Sequence, residues 1–379
     1  MQKLDKGADA IAYYAQIVTY FRDNILNGVL AAGSRLPTEF ELAEQHQISR
    51  GTVRQALNIL VNEGLLERIP GRGTFVRELA PPEQETRTSS RRIGLILSQP
   101  VLQLSMEILL GVVQTAKARG YEVSVTYAEE SREQQARDMA WLKANEVAGI
   151  ILLPLNNTAA DATFEELQKA RIPLVMVDRY LPDLDTDYVV SNNLEGGYRA
   201  TEHLIILGHR RIGFAYSNAD GLQTTSVRDR WLGYRKALEA YNLAYDETLV
   251  FGDLPLPGQP NQHPVDEIVL SANRPGAIFA VNDTLALGLL QAAKRHEINV
   301  PEDLALVGFD DLNYAAYLTP PLTTVAQPRL EIGVRAANLL INRFEGQTGP
   351  IQHIELPTNL IVRVSCGVRL HIKQTMLRS

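Results

Sequence analysis

The chain has one cysteine, Cys366, among its 379 residues, which excludes an internal disulfide and any fold stapled by bridges. That cysteine lies in a Val-Ser-Cys-Gly run that reads as a late core strand rather than the setting of a nucleophile. Long apolar runs are missing as well. None approaches the ~20 residues that cross a bilayer, and the N-terminus has no succession of basic, apolar and small residues, so the protein is expected in the cytoplasm, away from membranes. Histidines are few, and no two fall at the i, i+3 or i, i+4 spacing that would put a pair of metal ligands on one helix face. With no Ser-His-Asp or Cys-His constellation either, neither catalysis, a metal nor a cofactor is expected. Positive charge is not in excess: the formal net charge is −7. Residues 1–80 hold 9 basic and 9 acidic side chains, leaving 28 and 35 for the remainder. The acidic excess therefore belongs to the second part, and nucleic-acid binding has to be judged from where charges sit.

Composition changes at residues 80–90, Ala-Pro-Pro-Glu-Gln-Glu-Thr-Arg-Thr-Ser-Ser, a polar stretch without a large apolar side chain. It reads as a flexible linker over 80–92, spanning roughly 20 Å root mean square, between a small domain at 1–79 and a large one at 93–379. In the small domain, apolar residues at helical spacing over 12–26 predict a helix that stops at Asn27-Gly28. Thr38 with Glu41 three residues on is a capping-box pattern opening a second helix over 40–45. Ser49 caps a third over 50–62, closed by Gly64. Two β-prone runs, 65–69 and 74–76, flank Pro70-Gly71-Arg72-Gly73 and predict a hairpin. Beyond the linker, short apolar runs at 93–97, 123–127, 149–153, 174–177, 212–216, 277–281 and 304–308 alternate with helical stretches. Strands buried on both faces and separated by helices imply parallel α/β sheets, and so many units suit two lobes.

In the third predicted helix, Val53, Leu57 and Leu60 share one face and form the buried stripe. Arg50, Gly51 and Arg54 then face outward near its N-terminus, where guanidinium forks can reach guanine O6 and N7 in a major groove. Ser49, Thr52 and the free amides of the first turn suit phosphates, and Gly51 allows close backbone approach. At the hairpin tip, Gly71 and Gly73 leave room for Arg72 to enter a minor groove or clasp a phosphate. Each arginine alone reads equally well as a solvated surface charge. Together with a capped short helix, a turn and a wing, they read as a DNA-binding head.

The stretches Gly33-Ser34-Arg35-Leu36-Pro37-Thr38-Glu39-Phe40-Glu41-Leu42-Ala43, Ile48-Ser49-Arg50-Gly51-Thr52-Val53-Arg54-Gln55-Ala56-Leu57, Glu63-Gly64-Leu65-Leu66 and Gly71-Arg72-Gly73-Thr74-Phe75-Val76 resemble the GntR-type winged helix-turn-helix. The resemblance implies operator contacts from Ser49, Arg50, Gly51, Thr52 and Arg54. It adds Arg35 and Glu39 beside the second helix, Gly71, Arg72 and Gly73 in the wing, and Tyr14 on the phosphate side.

Residues 93–369 resemble the effector core of the LacI family, a two-lobed periplasmic-binding-protein-like (type I) α/β domain. The motifs are Val175-Met176-Val177-Asp178-Arg179, residues 193–203, Leu207-Gly208-His209-Arg210-Arg211-Ile212, Arg228-Asp229-Arg230-Trp231-Leu232-Gly233-Tyr234, Ala280-Val281-Asn282-Asp283, Val307-Gly308-Phe309-Asp310-Asp311 and residues 320–328. A GntR-type head joined to such a core is the layout of the arabinose-repressor family. Asp178, Asn282 and Asp310 end apolar strands, where open α/β sheets bind ligands, and Arg230 approaches from a helix start. Carboxylates, an amide and a guanidinium can pair with several hydroxyls of one sugar. Arg179 and Gln327 are candidate contacts in the same motifs, and further contacts are expected within 98–104. Capping of the next helix is the alternative role for strand-end side chains, above all Asp283 and Asp311. Leu254-Pro255-Leu256-Pro257 stands where many relatives place a stacking aromatic, and Trp231 is expected in the core rather than in its place.

The resemblance implies a homodimer that binds a pseudo-palindromic operator as a transcriptional repressor. It would release DNA when a sugar, such as arabinose or another mono- or oligosaccharide, closes the lobes. A corepressor arrangement and a cytoplasmic solute-binding protein with an incidental head are the alternatives.

Overall fold

The computed structural model describes residues 13–371 except 27, 28, 32, 64, 70, 71, 78–90, 99–101, 156–159, 218–220, 262, 348, 369 and 370. The chain forms two bodies, residues 1–88 and 89–379. Most of the stretch read as a linker lies outside the described residues, as do Asn27-Gly28, Gly64, Pro70 and Gly71; Arg92, its last residue, already opens a strand.

The first body contains α1 (Tyr13–Leu26), α2 (Glu39–His46), α3 (Arg50–Asn62), β1 (Leu66–Ile69) and β2 (Gly73–Val76). Reciprocal capping starts α2: the Glu41 amide donates to Thr38 Oγ1 at 3.2 Å, while the Thr38 amide donates to the Glu41 carboxylate at 2.7 Å. Hydrogen bonding from Thr38 holds the Glu41 carboxyl below its usual range. α2 ends on Gln47 in the left-handed region, at φ 54°. Ser49 caps α3 by accepting the Thr52 amide at 3.1 Å. Val53, Leu57 and Leu60 are all 0% exposed, clustered with Ile17, Phe21 and Leu42, as the helical spacing predicts. β1 and β2 pair antiparallel, from Leu66 opposite Val76 to Ile69 opposite Gly73.

The second body has two parallel-sheet lobes. The first is built from β3 (Arg92–Leu97), α4 (Leu102–Ala118), β4 (Glu122–Tyr127), α5 (Arg132–Ala144), β5 (Ile150–Leu152), α6 (Ala162–Lys169), β6 (Leu174–Val177) and β7 (Asp187–Ser191). The chain then crosses into the second lobe through α7 (Asn193–Ile206), β8 (Ile212–Ser217), α8 (Thr225–Ala240), β9 (Val250–Leu254), α9 (His263–Leu270), β10 (Ala277–Ala280), α10 (Asp283–Arg295), β11 (Ala305–Asp310) and β12 (Thr323–Ala326). It returns with α11 (Arg329–Phe344) and β13 (His353–Leu356), and crosses once more to β14 (Asn359–Ile361). The strand orders are β13-β7-β6-β5-β3-β4 and β14-β12-β11-β10-β8-β9, all parallel but for the antiparallel β14. Three crossings thus join the lobes, at 191–193, 326–329 and 356–359.

All seven predicted runs are strands, with 174–177 matched at both ends and the others shifted by at most two residues at an end. β7, β9, β12, β13 and β14 were not anticipated. They are short, rich in threonine or polar residues, or exposed at an edge, and lack a continuous apolar run. Cys366 corrects an expectation: it is fully buried, but in a turn after β14 rather than in a strand. There its sulfur lies 3.2 Å from His203 Nε2.

α7 and α8 cross where Gly197 and Gly233 face the other helix. A Cβ on Gly233 would lie 2.1 Å from the Leu194 carbonyl oxygen, and one on Gly197 would lie 2.3 Å from that of Arg230. This close approach sets α8, and with it Arg230, against the floor of the second lobe.

Candidate functional site

In the first body, Arg50, Gly51 and Arg54 are exposed along the outer face of α3, opposite its buried stripe. The first residue of α2 reaches across to them: Glu39 accepts Arg54 Nε at 3.0 Å and Arg68 Nη2 at 3.2 Å. Ser49 and Thr52 are joined to one another at 2.8 Å besides the cap. A Cβ on Gly51 would meet nothing nearer than Ser49 Oγ at 3.6 Å, so the head itself does not require glycine there. Gly73 differs. Its φ of 123° and the 3.0 Å its Cβ would leave to Arg35 Nε tie it to the hairpin's own geometry. Arg35 bridges to Phe75 beside it, and Arg72 lies exposed with its guanidinium 5.9 Å from the Phe75 ring centre. Tyr14 is half-buried against the head's core, and Gly71 lies outside the described residues.

In the second body, five of the six expected ligand residues are brought together where strands end between the lobes. Asp178 and Arg179 follow β6, Asp310 ends β11, Gln327 follows β12, and Arg230 stands in the second turn of α8 rather than at its start. All are under 9% exposed. Asp178 accepts both Nε and Nη2 of Arg179, at 3.0 and 2.7 Å, leaving Arg179 Nη1 buried without a hydrogen-bond partner. Arg230 donates to Asn193 Oδ1 at 2.9 Å and to the Val281 carbonyl at 2.7 Å, with Nη2 3.8 Å from Asp310. Its guanidinium lies 3.7 Å from the Phe309 ring centre. Gln327 donates to Asp310 at 2.6 Å and accepts from Ser191 at 2.7 Å. Asp178 and Asp310 sit at φ 66° and 116°, backbone strain of the kind retained where side chains must be aimed.

The sixth, Asn282, is half-buried next to Val281, the acceptor of Arg230, and caps α10 by accepting the Leu285 amide through Oδ1 at 2.8 Å. Asp283 instead is fully buried, accepting Thr324 Oγ1 at 2.6 Å and the Leu312 amide at 2.8 Å. Asp311 is paired with Arg363 at 2.7 Å. Burial pushes both Asp283 and Asp310 above the ordinary carboxylate range; for Asp310, Arg230 and Arg329 pull the other way.

The lobes also touch beyond this cluster. The Tyr180 amide donates to Thr225 Oγ1 at 3.0 Å, Arg228 donates to Tyr180 Oη at 3.0 Å, and the Asn313 amide donates to Gln103 at 2.8 Å. Arg329, at the second crossing, pairs with Glu107 of α4 at 3.1 Å and donates to the Asp310 carbonyl. Of the stretch 98–104, Ser98 spends its hydroxyl on the Leu153 carbonyl at 2.7 Å, Leu104 is in the core, and 99–101 lie outside the described residues. Asn193, Ser191, Phe309, Glu107 and Arg329 escape sequence reasoning because their partners are remote along the chain; Asn193 opens one recognised motif and Phe309 lies within another, and these are the available signals. Trp231 is half-buried beside the second-lobe core with Arg235 over its ring at 4.9 Å, and Leu254 is buried in that core. Among the described residues, no group of three or more His, Cys, Asp or Glu is placed to hold a metal, and no helix is long and apolar enough to cross a membrane.

Comparison with known proteins draws both bodies together. The model of bacterial regulatory proteins of the GntR family matches residues 13–76, and that of the periplasmic binding protein-like domain matches 201–366. The arabinose metabolism transcriptional repressor of Geobacillus stearothermophilus is 31% identical over 365 residues, covering 93% of this chain and 97% of its own length. The ribose operon repressor of Escherichia coli (strain K12) is 33% identical over 276 residues, 72% of this chain and 81% of its own. A LacI-family transcriptional regulator from Enterococcus faecium, solved with bound ribose, is 25% identical with a TM-score of 0.61, over 72% of this chain and 98% of that one.

Proposed function

We propose, from the premise that this chain belongs to the family of bacterial transcriptional repressors that join a GntR-type winged helix to a periplasmic-binding-protein-like domain, that it is a homodimeric repressor released from its operator by an uncharged sugar. The observation that carries the effector class is the charge matching in the cleft. Among the described residues, the arginines between the lobes each lie against a carboxylate: Arg179 on Asp178, Arg230 near Asp310, Arg329 on Glu107 and Arg228 on Asp229. A phosphate or carboxylate entering here would meet buried carboxylates without a spare cation among the described residues, at a cost of several kcal/mol. A neutral polyol can donate hydroxyls to Asp178 and Asp310 and accept from Arg179 Nη1 and Arg230, leaving no polar group stranded.

Because Asp178 and Arg179 belong to the first lobe and Arg230 and Asp310 to the second, a ligand held by both favours the closed arrangement. It shifts the equilibrium only by its differential affinity for the two forms. In the head, exposed Arg50 and Arg54 at the start of α3 supply base-edge contacts, and the bare Gly51 admits a phosphate backbone. Dimerisation is supported by Met106, Leu110 and Val113, one apolar stripe on α4 with 52, 48 and 38% exposure, beside Leu330, 43% exposed at the start of α11.

Thermal denaturation of the full chain with arabinose, ribose and their 5-phosphates tests the effector. A sugar at one hundred times its dissociation constant adds about 2.7 kcal/mol and should lower affinity for DNA enriched by the protein from a randomised duplex pool. Enrichment of no sequence would refute the repressor reading. A shift from a sugar phosphate but not from a free sugar would refute the neutral effector.

A further inference from the structure

Phe40, the second residue of α2, is 59% exposed and stands outside the buried core of the head. Its ring has a specific neighbour: the Arg50 guanidinium lies 6.0 Å from the ring centre. The residue before it, Glu39, grips Arg54 at 3.0 Å. Consecutive positions of α2 thus address the two outward arginines of α3 in turn, one through a carboxylate and one through an aromatic face. Arg50 makes no ion pair with a described residue, so the ring is what distinguishes its setting from that of Arg54.

We propose that Phe40 is the positioning and specificity-determining residue for Arg50, a role that rests on the reading of α3 as the helix that enters the DNA. A long arginine side chain left to itself samples many rotamers and reaches phosphate oxygens as readily as bases, and phosphate contact carries no sequence information. A guanidinium drawn over a ring face loses part of that freedom and presents its planar fork in one direction, as bidentate pairing with guanine O6 and N7 requires. An aromatic ring at this place therefore converts a general anion contact into a base contact.

The test uses the full chain and duplexes it enriches from a randomised pool, with each guanine of the enriched site then replaced in turn. Phe40→Leu keeps the apolar bulk and removes the π face. It should reduce discrimination at one guanine per half-site about two- to fivefold, the scale of an exposed cation–π contact. Non-specific affinity and the salt slope should stay unchanged, because no charge is lost. Phe40→Trp should restore discrimination. Arg50→Ala should abolish it at the same guanine, and adding Phe40→Leu to that variant should change nothing further. Full discrimination in Phe40→Leu, no rescue by Phe40→Trp, or an undiminished Phe40→Leu effect in the Arg50→Ala background would each overturn the proposal. If the unmodified chain enriches no sequence at all, the reading of α3 falls and the proposal with it.

Discussion

Replacing Arg230 with leucine strips the cleft of the group that joins most of its parts. Arg230 is 5% exposed, and its loss strands Asn193 Oδ1 and the Val281 carbonyl, now bonded at 2.9 and 2.7 Å. Each such acceptor costs about 1–3 kcal/mol if no water reaches it. Asp310 also loses the cation 3.8 Å away. Removing one partner of a buried ion pair costs ~3–5 kcal/mol in all, a figure that overlaps the first and is not added to it. The charged part depends on pH with a definite sign. Burial has already pushed the Asp310 carboxyl up to about 6, against the pull of Arg230 and Arg329. A carboxyl with a higher pKa folded than unfolded contributes stability below its unfolded pKa and loses it as pH rises through the folded value. Without Arg230 the folded value climbs further. The deficit of the variant should therefore be about 2 kcal/mol near pH 5, from the stranded acceptors, and widen above about pH 6. Urea denaturation of wild type, Arg230→Leu, Asp310→Asn and the double variant at pH 5.5 and 8 measures this. A deficit that is the same at both pH values, or as large in the Asp310→Asn background, would refute the electrostatic account.

Gly233→Ala puts a Cβ 2.1 Å from the Leu194 carbonyl oxygen and should destabilise the second body by about 1–3 kcal/mol or more, shown by a lower thermal midpoint and a weaker sugar-induced shift as Arg230 is displaced. Ser49→Ala should cost the head about 1 kcal/mol through the lost cap of α3, whereas Ser49→Gly should cost only a few tenths; equal effects in calorimetry would show that the cap is not what Ser49 contributes. Leu110→Glu, in the middle of the exposed α4 stripe, should yield monomers in sedimentation experiments and weaken operator binding while leaving sugar binding in place. Persistent dimers would move the interface elsewhere.

The head was almost wholly legible because its determinants are local. Thr38 with Glu41, Ser49 before α3 and the spacing of Val53, Leu57 and Leu60 act within one or two helical turns, where sequence spacing is spatial distance. The long apolar strands of the second body were legible for the same reason, since burial on both faces leaves an unbroken run. Edge strands such as β13, whose residues are alternately exposed, left no such mark. Asn282 shows the limit at a site: an asparagine at a strand end suits a ligand contact and a helix cap alike, and the cap through the Leu285 amide at 2.8 Å is visible only in the structure.

By itself the sequence determined a winged-helix head, a two-lobed parallel α/β body and the side chains that could serve each, because helix periodicity, capping and strand burial depend on near neighbours. Only the tertiary structure decided which of those side chains meet. The three crossings carry Asp178 and Arg179 from one lobe against Arg230, Asp310 and Gln327 from the other. The pairing of each arginine with a carboxylate, which argues for a neutral ligand, comes from residues up to 222 positions apart. Charge balance in a cleft is set by distances of a few ångströms, and apart from the adjacent Asp178 and Arg179 no local pattern in the chain encodes them.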